Sequence, residues 1–188
     1  MIYSLPYTVD MTDKDGNKIK IRNKGDFRVV LDVYEALNDN ELDEQQKIQC
    51  ALFMFYEDGE LEKITDFERA TKLMLEFING GEEDNEPSDK PPIMNWQHDF
   101  AQIAPPVSKV LGYDPRTPDK FTHFWTFLGA FREIGECTFA TVISIRNKIM
   151  KHKKLEKWEE EFYRENRKMI DLPLNLTPEE EEFLSSDW

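Results

Sequence analysis

The sequence predicts a mainly α-helical protein, a multi-helix globular domain that carries a small N-terminal β-hairpin and a semi-detached C-terminal helix. Near the start, Tyr7, Val9 and Met11 alternate with polar residues, which is the period of a β-strand. From Asp26 onward the apolar residues recur at steps of three and four, the period of an amphipathic helix. The change of period therefore separates a short β segment from a long helical one.

Residues 1–25 are predicted to form the hairpin. Ile19 and Ile21 repeat the alternation after a loop at residues 13–17. The Asp15-Gly16 step in that loop tolerates the positive φ that hairpin loops need. We therefore expect two short antiparallel strands joined there.

Three helices are predicted in the first helical half, residues 26–81. Asp26 can cap the first of them, and the second runs from about residue 42 to 56. The third starts at the capping box Thr65-Asp66-Phe67-Glu68 and stops at Asn79-Gly80-Gly81, where glycine favours the left-handed conformation. The apolar residues predicted to face inward are Phe27, Val30, Leu31, Tyr34 and Leu37, then Ile48, Leu52 and Phe55, then Phe67, Ala70, Met74 and Phe77.

An acidic, proline-containing linker is predicted at residues 82–95, and a second helical half at 96–150. Pro105-Pro106 should kink the first helix of this half or split it into two short helices. Thr117-Pro118-Asp119 predicts the start of an aromatic helix, and a further helix should begin near Thr138. The aromatic helix is expected to carry Phe121, Phe124, Trp125, Leu128 and Phe131.

Residues 151–170 are predicted to form an extended helix and residues 171–188 an acidic tail, which leaves residues 1–170 as a single domain. The apolar stripe of this helix is narrow, as expected for a helix packed on one side only. Aromatic residues on a weakly anchored segment suit the binding of a partner, and a tail folded back over the core fits the sequence equally well. The candidate partner-binding residues are Leu155, Trp158, Phe162, Leu174, Leu176, Phe183, Leu184 and Trp188.

The composition argues against several classes of protein. The 24 Lys and Arg against 38 Asp and Glu give a net charge of −14, which disfavours nucleic-acid binding because phosphate contacts are made mostly by Lys and Arg. The longest apolar run, Cys50 to Tyr56, is seven residues, far short of the roughly 20 that span a bilayer. The N-terminus shows neither the basic segment nor the apolar core of a secretory signal. We therefore expect a cytoplasmic protein.

No constellation of residues predicts catalysis. His98, His123 and His152 are scattered along the chain, and His123 is expected to be structural. Cys50 and Cys137 lie within apolar stripes and are expected to be small, reduced core residues. No Cys/His spacing resembles a zinc site, and no Gly-rich phosphate loop follows a strand. We expect no enzyme activity, cofactor, metal or small-molecule substrate.

Several motifs follow one another along the chain between about residue 3 and residue 165. They are Leu5-Pro6, Asp26-Phe27-Arg28, Asp99, Ile103, Gly112-Tyr113-Asp114, His123-Phe124-Trp125-Thr126-Phe127, Phe139 and Ile143-Ser144-Ile145-Arg146. Their order and spacing resemble the phage "gene product fifteen" family, which is encoded in the tail module of long-tailed phages of Gram-positive hosts. Two features depart from the family pattern: Pro105-Pro106 interrupts a continuous helix, and His-Phe-Trp replaces the usual His-Trp-Trp.

The resemblance implies a tail assembly chaperone that coats the hydrophobic helices of the tape measure protein and recruits subunits of the major tail protein. Such a protein acts in the host cytoplasm, is absent from the mature virion, and is a possible homo-oligomer. A high negative charge is compatible with this role because it keeps a chaperone and its cargo soluble. Two alternatives remain open, an acidic phage-encoded inhibitor that mimics nucleic acid and a structural component of the virion tail.

Overall fold

The computed structural model describes residues 4–82 and 92–173, and the fold class is mainly α, as predicted. The described part contains eight α-helices, two short 3-10 helices and one two-stranded antiparallel sheet. Its residues fall into two compact units. The first unit contains residues 4–82 and 121–128, and the second contains residues 92–120 and 129–173.

The first unit begins with the predicted hairpin, strands β1 (Thr8–Thr12) and β2 (Lys18–Lys20). Asp13 holds the turn because its Oδ1 accepts the backbone N–H of Asn17 at 2.8 Å. Gly16 has a φ of 83°, the positive value that the Asp-Gly step predicted. The predicted alternation is confirmed at four buried side chains: Val9, Met11, Ile19 and Ile21. Tyr7, expected in the same series, precedes β1 and is exposed.

Helices α1 (Phe27–Leu37), α2 (Glu44–Phe55) and α3 (Phe67–Ile78) form the rest of the first unit together with residues 121–128. Each begins after an aspartate whose side chain accepts a backbone N–H of the first turn, which satisfies one of the unpaired donors there. The cap predicted at Asp26 is confirmed. The 3-10 helices Arg22–Gly25 and Leu61–Lys63 connect these elements.

The capping box predicted for α3 is wrong by one residue. Asp66, not Thr65, is the N-cap, and its Oδ1 accepts the backbone N–H of Arg69 at 2.9 Å. Phe67 thereby becomes the first helical residue, and its side chain is exposed instead of lying in the predicted core stripe. The other members of that stripe, Ala70, Met74 and Phe77, are buried as predicted.

The second unit is built around helices α4 (Trp96–Leu111) and α6 (Thr138–Met150). Helix α4 runs through Pro105-Pro106 as a single helix, so the expectation of two short helices is wrong. Asn95 caps its start and Gly112, with a φ of 75°, ends it. The missing N–H groups of the prolines are outweighed by tertiary packing, because Ile103, Ala104 and Val107 are fully buried around them.

Helix α5 (Phe124–Arg132) starts later than the sequence predicted. Pro118 and Asp119 lie in a turn and residues 120–122 have no regular secondary structure. The ring Nδ1 of His123 accepts the backbone N–H of Trp125 at 3.1 Å. The start predicted at Thr117-Pro118 is therefore wrong, because the histidine supplies the acceptor for the first turn. Phe121, predicted to lie in the helix stripe, precedes the helix and is exposed.

The extended helix predicted at 151–170 is two separate helices, α7 (Lys157–Glu165) and α8 (Arg167–Ile170). Helix α6 ends in a left-handed turn in which His152 has a φ of 51° and Lys153 N–H bonds to the carbonyl of Lys148. The chain therefore leaves the helix axis at this point, and α8 packs on α6.

Most of the predicted linker at 82–95 and most of the predicted tail at 171–188 lie outside the described residues. No helix in the described ranges has the length and apolar character needed to cross a membrane.

Candidate functional site

An open apolar groove lies beside α2 and α3 in the first unit, and we call it the α2–α3 groove. Its volume is about 800 Å³. Phe53 and Phe67 are 64% and 53% exposed, which is high for phenylalanine in a folded chain. The apolar residues that line the groove are Ile48, Leu52, Phe53, Met54, Leu61 and Phe67.

The α2 wall of the groove follows from an apolar run that is longer than one helix face. The run from Cys50 to Tyr56 covers seven residues, and each residue is turned about 100° from the last. It therefore encircles the helix, so that Leu52 and Phe55 are buried in the unit while Phe53 points the other way.

Two hydrogen-bond systems hold the walls of the groove in place. The Tyr56 hydroxyl donates to the carbonyl of Ala70 at 2.8 Å, which ties the end of α2 to α3. Burial raises the pKa of Tyr56, so the hydroxyl keeps the proton that it donates. The Arg22 guanidinium donates to the carbonyls of Phe53 and Met54, each at 2.9 Å, and so satisfies carbonyls at the end of α2.

The remaining side chains of the lining are polar but nearly free of charge. Four of them are neutral: Gln45, Gln49, Cys50 and Thr71. Among the described residues that line the groove, only Glu68 carries a charge, and it is exposed. A lining of this kind is suited to burying apolar side chains of a partner beneath a polar rim.

Three of the predicted partner-binding residues are described, and they lie on or just before α7 in the second unit. Leu155 and Phe162 are partly buried against a core cluster of Val142, Ile145 and Ile170. Trp158 is 53% exposed, and its Nε1–H donates to Glu156 at 2.8 Å. The other predicted residues lie outside the described residues: Leu174, Leu176, Phe183, Leu184 and Trp188.

A model of one protein family, described as bacteriophage Gp15 protein, matches the chain over residues 4–172. The chain belongs to this family. No curated protein and no solved structure matches it.

Three of the motifs that carry the Gp15 resemblance meet in a buried cluster of the first unit, the His123 cluster, which contains Pro6, Asp26, Thr122, His123 and Trp125. The Asp26 carboxylate accepts the backbone N–H of Thr122 at 3.2 Å. His123 Nδ1 accepts an N–H, so the proton is on Nε2, which donates to the carbonyl of Pro6 at 2.9 Å. Burial lowers the pKa of His123 and favours this neutral form, in keeping with the structural role expected for it.

Two further Gp15 motifs meet in the second unit, at what we call the Asp99–Arg146 centre. Both oxygens of the fully buried Asp99 accept hydrogen bonds from the Arg146 guanidinium, at 2.7 and 2.8 Å. Arg146 also donates to the carbonyls of Ile93, Met169 and Ile170, at 3.1, 2.9 and 2.6 Å. The guanidinium thus joins α4, α6 and α8 through one side chain.

Sequence reasoning missed the α2–α3 groove. A signal was available, because an apolar run of seven residues exceeds what one face of a helix can bury. The exposure of Phe67 could not be anticipated while the helix was expected to start at Thr65.

Proposed function

We propose that this Gp15 family protein is a tail assembly chaperone, which binds the tape measure protein, tail tube subunits or both during tail morphogenesis and performs no catalysis. In this proposal it acts in the host cytoplasm and leaves before the virion is complete. The observation that carries the proposal is the α2–α3 groove, an exposed apolar surface on a chain of net charge −14.

The groove supports the proposal because its two walls are helices that leave apolar side chains uncovered. A helix with one apolar face can lie in such a groove and bury that face. Phe53 and Phe67 stand on different walls and are the most exposed aromatic residues of the first unit. Aromatic side chains are enriched among the residues that dominate binding energy at protein interfaces.

The net charge of the chain also supports the chaperone proposal. A chaperone that covers apolar segments must keep the complex from associating with further copies, and a net charge of −14 provides repulsion between complexes. Apolar burial in the groove and charge repulsion outside it are compatible, since Glu68 is the only charged side chain among the described residues of the lining.

The test is co-expression with the tape measure protein encoded nearby. We expect the tape measure protein to become soluble and to be retained in a pull-down both at low salt and at about 1 M salt, because apolar contacts are not screened. The variant with Phe53→Ser and Phe67→Ser should lose this effect, while Phe121→Ser, at another exposed aromatic residue of the first unit, should keep it. A tape measure protein that stays insoluble and unbound would refute the proposal.

The net charge of −14 also favours a second candidate, an acidic inhibitor that occupies a nucleic-acid-binding surface of a host protein. Such a complex should weaken steeply between low and moderate salt, because its contacts are between exposed charges.

A structural component of the virion tail is the third possibility. Mass spectrometry of purified virions distinguishes it, since only a structural component would be found in the particles.

A further inference from the structure

We infer that the α2–α3 groove takes an amphipathic helix of another protein, whose apolar face enters the groove and whose flank carries cationic residues against Glu68. The inference rests on the proposed chaperone function, and it specifies the chemistry of the segment that the chaperone holds.

The length and lining of the groove suit a short helical segment. The α2 residues that line it run from Gln45 to Met54, which corresponds to about 15 Å along the helix axis, or roughly three turns of a bound helix. A bound helix would present apolar side chains at i, i+3, i+4 and i+7 to such a surface. Phe53 on one wall and Phe67 on the other would contact this stripe from both sides.

The charges around the groove favour a cationic flank. The Arg22 guanidinium lies over the Phe53 ring, 5.6 Å from its centroid, and it is paired with Asp58 at 2.8 Å. Residues 41–72, which contain the lining residues, carry nine carboxylates and four cationic side chains along the sequence. Two of the cations have acidic partners, with Lys47 at 2.8 Å from Glu44 and Lys63 at 2.7 Å from Glu60. Within the described ranges Glu68 has no ion-pair partner, so its carboxylate is open to a Lys or Arg of the bound segment.

The same charges disfavour two other occupants of the groove. Residues 174–188 of this chain contain several apolar side chains, but they also carry five carboxylates and no Lys or Arg. A second copy of the chain would bring another net charge of −14. Each would place negative charge beside negative charge, which opposes association. A basic helix from another protein has the complementary charge.

Two synthetic peptides probe this chemistry with the full chain. Both have about 18 residues, enough for some five turns, and both carry Leu at i, i+3, i+4 and i+7. One carries Lys on its polar face and the other Glu at the same positions. We expect fluorescence anisotropy to show binding of the Lys peptide and at least about tenfold weaker binding of the Glu peptide. Equal binding of the two peptides would overturn the inferred charge of the partner.

Substitutions in the chain test whether the Lys peptide binds in the α2–α3 groove. Phe53→Ser with Phe67→Ser should weaken binding of the Lys peptide at least about tenfold, because it removes the aromatic anchors. Phe121→Ser, which changes another exposed aromatic residue of the first unit, should leave binding unchanged. Glu68→Lys should weaken it about threefold or more, and Glu133→Lys, the same change of charge at an exposed site in the second unit, should have less effect. Equal effects of the two charge changes, or no effect of the paired serine variant, would overturn the inference.

Two further experiments test the other occupants of the groove, the chain's own tail and a second copy of the chain. A synthetic peptide of residues 174–188 that displaces the Lys peptide would make the chain's own tail the occupant. Sedimentation that finds a dimer, and finds it lost in the Phe53→Ser, Phe67→Ser variant, would make a second copy the occupant. Either result would overturn the inference, whereas absence of displacement and of such a dimer supports it.

The tape measure protein separates failure of this inference from failure of the proposed function. If the Glu68→Lys chain and the paired serine variant solubilise the tape measure protein as well as the native chain does, the groove inference is wrong and the chaperone proposal stands. If the Lys peptide binds the groove but the tape measure protein stays insoluble and unbound, the chaperone proposal is wrong and the groove chemistry stands.

Discussion

The Asp99–Arg146 centre and the α2–α3 groove place polar and apolar groups in opposite ways. In the second unit, two charged side chains are buried and satisfied by each other and by backbone carbonyls. In the first unit, Phe53 and Phe67 are left at the surface. A buried charge is stable only with its partners present, and an exposed aromatic pair on a groove suits contact with another molecule.

The difference teaches where the residues of the Gp15 resemblance act in this chain. Asp99 and Arg146 belong to those motifs, and so do Asp26 and His123 of the other buried cluster. The groove residues Ile48, Phe53 and Phe67 do not. The motif residues whose contacts are described above stabilise the two units, while the candidate binding surface is made of residues outside the motifs.

The largest expected effect is at Arg146. Replacing Arg146 with Met leaves the Asp99 carboxylate buried without its partner, so we expect the free energy of unfolding to fall by about 3–5 kcal/mol. Urea denaturation followed by tryptophan fluorescence, to which Trp96 at the start of α4 contributes, measures the change. Arg164→Met is the matched control, because Arg164 forms an exposed pair with Glu161 and its loss should cost less than about 1 kcal/mol. Similar losses in the two variants would mean that the buried pair does not stabilise the second unit.

The next largest effect is expected where the backbone approaches the His123 cluster. Gly25 has a φ of 75°, and a Cβ there would lie 2.8 Å from Phe77 Cζ and 3.1 Å from His123 Nε2. Gly25→Ala should therefore lower the free energy of unfolding by about 2–4 kcal/mol, from backbone strain and overpacking together.

Gly59→Ala separates the two causes of that loss. Gly59 has a φ of 77°, but a Cβ there would meet no atom within 4 Å. Its replacement should cost only the backbone strain, about 1–2 kcal/mol, in the same urea titration. Equal losses for the two substitutions would show that the close approach of the added Cβ at residue 25 to Phe77 and His123 costs nothing.

The comparison of expected and observed helix starts shows what local sequence decides. The helix start at Asp26 and the helix stop at Gly80-Gly81 were predicted correctly, because no equally favourable cap or stop lies nearby in the sequence. Thr65 and Asp66 are adjacent and both are favourable N-caps, so sequence alone does not choose between them. Thr117-Pro118 is a good start signal, yet the ring of His123 provides the acceptor for α5, and no local rule anticipates a histidine in that role.

The α2–α3 groove was harder to predict than the helices for a physical reason. Periodicity indicates which face of a helix is apolar, but it does not say how much of the helix its neighbours cover. In α2 the inward position of Phe55 was predicted correctly, but the apolar run continues around the helix, and only the tertiary structure shows that Phe53 is left uncovered. The Asp99–Arg146 pair was likewise unpredictable as a contact, because the two residues are far apart in sequence.

The stability that the His123 cluster gives the first unit should depend on pH. Burial lowers the pKa of His123 in the folded chain below its value in the unfolded chain. The contribution of neutral His123 is therefore complete above about pH 6.5, the unperturbed value, and it is lost as the pH falls toward the folded pKa. We expect the free energy of unfolding to fall between pH 7 and pH 5, measured by urea titration at each pH.

Two histidine variants test whether His123 causes this fall in the free energy of unfolding. His123→Asn keeps a side-chain acceptor for the Trp125 N–H but does not titrate in this range, so its stability should depend less on pH. His152→Asn changes an exposed histidine whose φ of 51° asparagine tolerates, and it should keep the pH dependence of the native chain. A pH profile unchanged in the His123 variant would remove that histidine as the cause.

The smallest effect on stability is expected in the α2–α3 groove. Phe53→Ser should change the free energy of unfolding by less than about 0.5 kcal/mol, since surface substitutions rarely do more. Phe55→Ser, two residues away on the buried side of the same helix, should cost about 3–5 kcal/mol. Both are measured by urea denaturation of the full chain. A loss at Phe53 as large as that at Phe55 would make Phe53 a core residue, and the groove would then not be a surface left open for a partner. A small loss, joined to the loss of peptide binding expected for the paired serine variant, would show that this aromatic side chain acts in binding and not in folding.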